Sequence, residues 1–350
     1  MYRNLWFNGI NKNMENNKKW LASYLYYAEP WEKFLVEAVK PFVEQILKQG
    51  LAEHYFFIRY WEKGPHIRLR FKGDSNVLEH KVKPLLSKHF KNYFKDYPST
   101  REEPNWPDDI PEDSKWYPNN SVQFMEYEPE TERYGGKQGI LIAEKQFQAS
   151  SKAILAITKE SLDSWDYSRA LGAAIQLHLG FGYALGMELD EVNGLFKRFF
   201  DNWLSRAYYF FEKDISKEEL AKRKEETLVA FSKNFEEQKE SLLPFFETVW
   251  QALQKGQEFE QEWLNNWVID MTEVGKDLKV IQKNKKLTPP TWYMQKTSGD
   301  FSLEQQERWA VYDSYIHMVN NRLGIKNRDE AYLGYLIIES VKVLESRVKE

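Results

Sequence analysis

Residues 54–71 read HYFFIRYWEKGPHIRLRF. Two runs rich in aromatic and β-branched residues flank Glu62-Lys63-Gly64-Pro65, a combination that reads as a turn. The pattern predicts a hairpin with strands over 54–61 and 66–71. On a strand, successive side chains face opposite ways. Ile67, Leu69 and Phe71 therefore share a core-facing side, and His66, Arg68 and Arg70 share the other. If the hairpin closes through a four-residue turn, Arg59 stands opposite Arg68 on that basic face. Like charges directly opposed are unfavourable, so an anion should sit among them. It can be a ligand carboxylate or phosphate. A solvated face, ion-paired to the acidic loop at 96–120, satisfies the same pattern.

Working outward, WLASYLYY (20–27) reads as an earlier strand. In the segment after it, Phe34, Leu35, Ala38, Phe42, Ile46 and Leu47 recur at helical spacing, and Gly50 stands where a C-cap belongs. Pro41 inside this pattern predicts a kink. VLEHKVKPLLSKHFKNYF predicts a second helix, broken near Pro84. Residues 96–120, rich in proline and acids, read as a long surface loop or an insertion. SVQFMEY (121–127) returns to a strand pattern. From about residue 138 the chain is helical, with candidates at 139–158, 163–186, 188–211, 216–238, 240–254, 259–283, 303–323 and 328–348. No internal repeat of fixed period is visible. The expected fold is α+β: an N-terminal β-hairpin and antiparallel sheet part (19–137), then a large helical part (138–350). Together they form one domain behind a flexible segment, 1–18.

The bulk properties narrow the function. The chain has 350 residues, 42% of them hydrophobic, a formal charge of −4 and no cysteine. Disulfides, thiolate nucleophiles and cysteine-ligated zinc are excluded. A field that attracts nucleic-acid phosphates is missing overall. No stretch approaches a membrane span, and the polar N-terminus has no apolar signal-type region. A reducing, cytoplasmic setting is expected. HExxH, GxSxG and phosphate-loop motifs are absent.

Two further clusters can carry chemistry. In Glu128–Gly136, EPETERYGG, paired glycines permit positive φ, and Glu130 and Arg133 are close enough in sequence to converge. The alternative is an ordinary charged loop. In the late helix, Trp309, Tyr312, Ile316, Val319 and Leu323 form an apolar stripe. Asp313, His317, Asn320 and Asn321 lie beside it, with Asp313 one turn before His317 and able to orient its ring. A structural histidine at the edge of a core reads the same way.

Taken in order, YFFIRYWEKGPHIRLRF, EPETERYGG with the extended YGGxxGIxxAExxF at 134–147, and SYIHMVNNRLGI resemble one family. It is the C-terminal elimination domain of lantibiotic dehydratases, also found in thiopeptide-type bacteriocin biosynthesis proteins. The resemblance runs from about residue 20 to the C-terminus. It implies removal of glutamate from glutamylated Ser or Thr of a ribosomal precursor peptide, leaving dehydroalanine or dehydrobutyrine. A separate glutamyl-tRNA-dependent protein would make the ester, without direct nucleic-acid contact or a cofactor here.

The resemblance places catalytic residues at Arg68, Arg70, Glu130, Arg133 and His317, with Arg59, His66, Tyr134 and Asn321 as substrate-binding candidates and no metal ligands. Arginines suit a carboxylate leaving group and an enolate-like oxygen, and histidine moves a proton near neutral pH. Two departures stand out: the 96–120 insertion, and Ser150-Ser151 where the family often has Asp-Ser. Rival readings are a cycloaddition enzyme related to thiopeptide pyridine synthases and a non-catalytic docking component. A homodimer is compatible with all of these.

Overall fold

The computed structural model describes residues 17–209, 215–295 and 300–349. The expected flexible segment at 1–18 lies outside the described residues as far as residue 16, and Lys18 already begins a strand. Two compact units form, one from the residues up to 129 with 154–165, the other from 130–153 with 166 onward.

The first unit holds a four-stranded antiparallel sheet: β1 (Lys18–Tyr26), β2 (His54–Tyr60), β3 (His66–Asp74) and β4 (Ser121–Met125), in the order β2-β3-β1-β4. A helical segment, α1, connects β1 to β2, and a second, α2, connects β3 to β4. Two interleaved βαβ halves of this kind make a split βαβ, or ferredoxin-like, sheet.

The expected kinks at Pro41 and Pro84 take one form. α1 is an α-turn at Glu32–Phe34, a π-turn at Leu35–Val39 and an α-helix over Lys40–Lys48. α2 repeats this as Ser75–Val77, a π-turn at Leu78–Val82 and Lys83–Asp96. Each proline sits in the first positions of the last piece, and the wider turn before it accommodates the ring and its missing N–H. Both π-turns carry the string Leu-x-x-x-Val-Lys-Pro, which a search for a fixed period does not reveal.

The hairpin register corrects one expectation. Tyr60 pairs with His66, Arg59 with Ile67 and Ile58 with Arg68. The connection from Trp61 to Pro65 is one residue longer than a four-residue turn. A one-residue slip moves every side chain to the opposite face. Arg59 therefore leaves the basic face and lies on the side of Ile67 and Leu69. There it is buried, 3% exposed, and donates from Nη1 to Glu32 of α1 at 2.8 Å. The apolar face is sealed by α1 and α2, with Phe42 packed edge-on against both Phe71 and Phe90.

The second unit is helical: α3 (Gly136–Glu160, whose C-terminal end belongs to the first unit), α4 (Tyr167–Ala184), α5 (Leu189–Tyr209), α6 (Lys217–Gln254), α7 (Glu262–Lys283), a short α8 (Thr291–Met294), α9 (Leu303–Leu323) and α10 (Asn327–Lys349). Two helices expected at 216–238 and 240–254 are one, α6, which continues through Pro244. Buried Phe231 and Phe235 before residue 239, and Leu242 and Leu243 after it, hold the helix continuous across the expected break. α9 starts at a Ser302–Gln305 capping box and ends at Gly324, φ +83°. It is buried on nearly every side rather than along one stripe, and Asp313, Ser314, Asn320 and Arg322 are buried with its apolar residues. Polar groups so placed need partners inside the protein. Among the described residues, no helix is long and apolar enough to cross a membrane.

Candidate functional site

In the sheet unit, β3 lies between β2 and β1, so the basic face of His66, Arg68 and Arg70 is flanked on both sides. Tyr60, Ile58 and Phe56 pair with them from β2, and Tyr26, Tyr24 and Ala22 from β1. Aromatic neighbours grip the guanidiniums. Arg68 lies 3.4 Å from the ring centre of Tyr60 and 4.6 Å from that of Tyr24. Arg70 lies 4.6 Å from Tyr127 and 5.2 Å from Phe56. Such stacking holds a guanidinium plane while leaving its edge N–H groups for an acceptor.

His66 is fully buried and sets the orientation of Arg68. Its Nδ1 meets the carbonyl of Gly64 at 2.8 Å, and its Nε2 lies 3.2 Å from Arg68 Nε. A carbonyl only accepts and a guanidinium only donates. The ring is therefore the neutral tautomer with its proton on Nδ1. Burial, reinforced by Arg68 and Arg70, pushes its pKa down to about 4, against the smaller opposing effect of the Gly64 carbonyl.

The two arginines differ in how their charge is balanced. Arg68 has one weak ion pair, with the exposed carboxylate of Glu62 at 3.4 Å. Arg70 is 8% exposed, and among the described residues no carboxylate pairs with it. Burial lowers its pKa, with Tyr127 and Tyr24 acting in the opposite direction. A buried cation with no carboxylate partner among the described residues has the chemistry to accept an anion.

In the helical unit, the turn before α3 presents Glu130 and Arg133. Gly135 and Gly136 both take positive φ, +86° and +87°, and Gly136 N–H donates to Thr131 O at 2.7 Å. A Cβ on Gly139 would stand 2.0 Å from the Tyr134 carbonyl, so the motif needs glycine there for close approach. Arg133 Nη1 donates to Glu130 at 3.4 Å and its Nε to Ser314 Oγ of α9 at 3.1 Å. Burial opposes the charge on Arg133, but Tyr134, Glu130 and Asp313 outweigh it and hold the guanidinium firmly charged. Tyr134 is buried against Phe147 and Tyr315, so its place is behind Arg133 in the packing.

His317 lies one turn along α9 from Asp313, but Asp313 is not its partner. Asp313 accepts from Asn202 Nδ2 at 3.3 Å. The His317 Nδ1 is instead 2.9 and 3.1 Å from the two oxygens of Glu330 on α10. Glu330 is completely buried and also accepts from Asn320 Nδ2 at 3.1 Å. Trp203 of α5 stacks on the imidazole, 4.3 Å between centres and 20° from parallel. Asn321, next along α9 from Asn320, is half-buried.

A family model described as "Lantibiotic biosynthesis dehydratase C-term" matches residues 20–341. The chain belongs to the lantibiotic dehydratase C-terminal family. The subtilin biosynthesis protein SpaB of Bacillus subtilis is 34% identical over 136 residues. That is 39% of this chain but only 11% of SpaB. Among solved structures, the pyridine synthase TbtD from thiomuracin biosynthesis superposes with a TM-score of 0.70 at 15% identity, covering 94% of this chain and 99% of TbtD. TsrL gives 0.63 at 14% identity, with coverage of 94% and 96%. The tRNA-dependent lantibiotic dehydratase MibB of Microbispora sp. 107891 gives 0.58 at 17% identity, covering 95% of this chain and 29% of MibB. At these identities the likenesses show a common fold. The family's description places its members in lantibiotic biosynthesis.

Within this family member, the structure gathers Arg68 and Arg70 with His66 on one sheet face, and Glu130 with Arg133 and Ser314 beside α9. Arg59 falls outside both groups. Reading the sequence missed Glu330 and Trp203. Glu330 comes from the next helix, beyond the reach of an i, i+4 rule, and its signal was only a carboxylate in a helix first turn. Ser150 and Ser151 are structural: Ser150 Oγ donates to the Gln146 carbonyl, and Ser151 Oγ accepts from Arg322 Nε at 3.1 Å.

Proposed function

We propose that this chain catalyses β-elimination of glutamate from glutamylated Ser or Thr in a ribosomal precursor peptide, the ester being supplied by a separate glutamyl-tRNA-dependent protein. The carrying observation is the buried charge of Arg70, which no carboxylate pairs among the described residues, beside the aromatic-clamped Arg68. An anionic substrate group supplies what the protein leaves out. In the reaction, the Cα–H bond breaks and its proton passes to a base. The electron pair forms the Cα=Cβ double bond, the Cβ–O bond breaks, and glutamate leaves as a carboxylate. His317 is the acid/base in this reading. Arg68 and Arg70 hold the glutamyl group. Arg133, braced by Glu130, faces the negative charge that develops on the carbonyl oxygen.

The test is mass spectrometry of a peptide carrying a glutamyl ester on Ser, incubated with the purified chain in the presence of its leader sequence. Loss of glutamate with formation of dehydroalanine, abolished by His317→Ala and Arg70→Met, is the expected result. An ester that stays intact or is merely hydrolysed overturns the reading. Conversion of a peptide that already contains dehydroalanines into a cyclised product would instead assign the rival cycloaddition reading.

A further inference from the structure

His317 is the end of a hydrogen-bonded chain that runs into the helical core. His178 of α4, fully buried, has Nε2 2.9 Å from Asn320 Oδ1. Asn320 Nδ2 donates to Glu330 Oε2 at 3.1 Å, and Glu330 receives His317 Nδ1 at 2.9 and 3.1 Å. The direction of every link follows from donor chemistry. A carboxylate accepts, so the Asn320 amide must present nitrogen to Glu330 and oxygen to His178. His178 therefore carries its proton on Nε2 and donates. Nothing charged is left at the buried end, since burial holds His178 neutral with a pKa near 4. Glu330 is thus fixed by two donors, and its exposure is zero.

We propose that Glu330, held by Asn320, is a positioning residue for His317. It pins the imidazole as the Nδ1–H tautomer, so that Nε2 is the nitrogen with a lone pair for proton transfer. The role in catalysis rests on the elimination reading above; the tautomer does not. The reason is geometric. Both Glu330 oxygens approach the same ring nitrogen, so a proton on Nδ1 is shared between two acceptors. The opposite tautomer would place a lone pair against a buried carboxylate. Trp203 stacks on the ring and limits its rotation, so the remaining freedom is which nitrogen holds the proton. A carboxylate behind an imidazole in this way orients the ring and stabilises it when it takes up a proton.

The experiment is long-range 15N–1H correlation on the full chain labelled with 15N-histidine near neutral pH, with the His317 signals assigned by their loss in His317→Gln. The expected wild-type spectrum shows a protonated Nδ1 and a bare Nε2. A ring with its proton on Nε2, or with protons on both nitrogens, overturns the proposal without any variant. Glu330→Gln is expected to shift the ring toward the Nε2–H tautomer and to lower kcat at least 30-fold with KM changed less than threefold. Asn320→Asp, which keeps the volume but removes the donor to Glu330, is expected to lower kcat by a smaller factor. Unchanged tautomer and kcat in a folded Glu330→Gln also overturns it. If the wild type eliminates nothing, the elimination reading fails, while the wild-type spectrum still decides the tautomer.

Discussion

His66 Nε2 accepts a hydrogen bond from Arg68 Nε at 3.2 Å, which makes a neutral, buried imidazole the rest against which the Arg68 guanidinium is set. Removing that rest should loosen Arg68 without touching its charge. His66→Ala is expected to raise KM for a glutamylated peptide about tenfold, the effect of one lost hydrogen bond to a charged group. Arg68→Lys should do worse, because an ammonium cannot present a planar fork between Tyr60 and Tyr24. Steady-state kinetics on both variants check the order.

The same imidazole makes the fold acid-sensitive. In the folded chain His66 stays neutral down to about pH 4, whereas the unfolded ring takes its proton near 6.5. Between those values the unfolded state binds more protons. Stability is therefore full above about 6.5 and falls as the pH drops towards 4, by about 2 kcal/mol at pH 5. His178, held neutral by burial, acts in the same direction over the same interval. Denaturant titrations at pH 7 and pH 5 should show a smaller loss in His66→Gln than in the wild type.

Arg70 should trade stability against activity. Its charge is buried without a protein carboxylate among the described residues, so replacing it by an apolar side chain of similar length removes a desolvation penalty. Arg70→Met is expected to keep or raise the melting temperature while lowering turnover at least 100-fold, about 3 kcal/mol of lost transition-state stabilisation. A protein that melts much earlier would mean that Arg70 serves the fold instead.

Arg59 should behave in the opposite way. Its buried pair with Glu32 ties β2 to α1. Breaking such a pair from one side leaves a charge stranded. Arg59→Met is expected to destabilise the chain by about 3 kcal/mol, and the double variant with Glu32→Met to recover most of that. Turnover of the protein that remains folded should be close to wild type.

These contrasts mark what could be read from the chain alone. Alternation in HIRLRF was enough to put His66, Arg68 and Arg70 on one face, because a strand has no other period. It was not enough to place Arg59, since a single extra residue in the Trp61–Pro65 connection reverses the partner strand. The helical C-terminal part was legible from its spacing, but the break expected at residue 239 does not occur, because buried residues on both sides carry one helix through it. The partner of His317 was hidden for a related reason. Local rules favoured Asp313, while the oxygen that meets the ring belongs to Glu330 across a helix–helix contact.

The paired π-turns carry a last consequence. β1 with α1 and β2, and β3 with α2 and β4, are alike down to the Leu-x-x-x-Val-Lys-Pro string and the widened turn before each proline. The sheet unit is thus a duplicated plan with unduplicated contents. In the middle of the sheet, the leading strand of one half carries Tyr24 and that of the other carries Arg68, side by side in register. An architecture of two like halves brings its own first strands together at the centre, where the aromatic contribution of one half shapes the charge of the other.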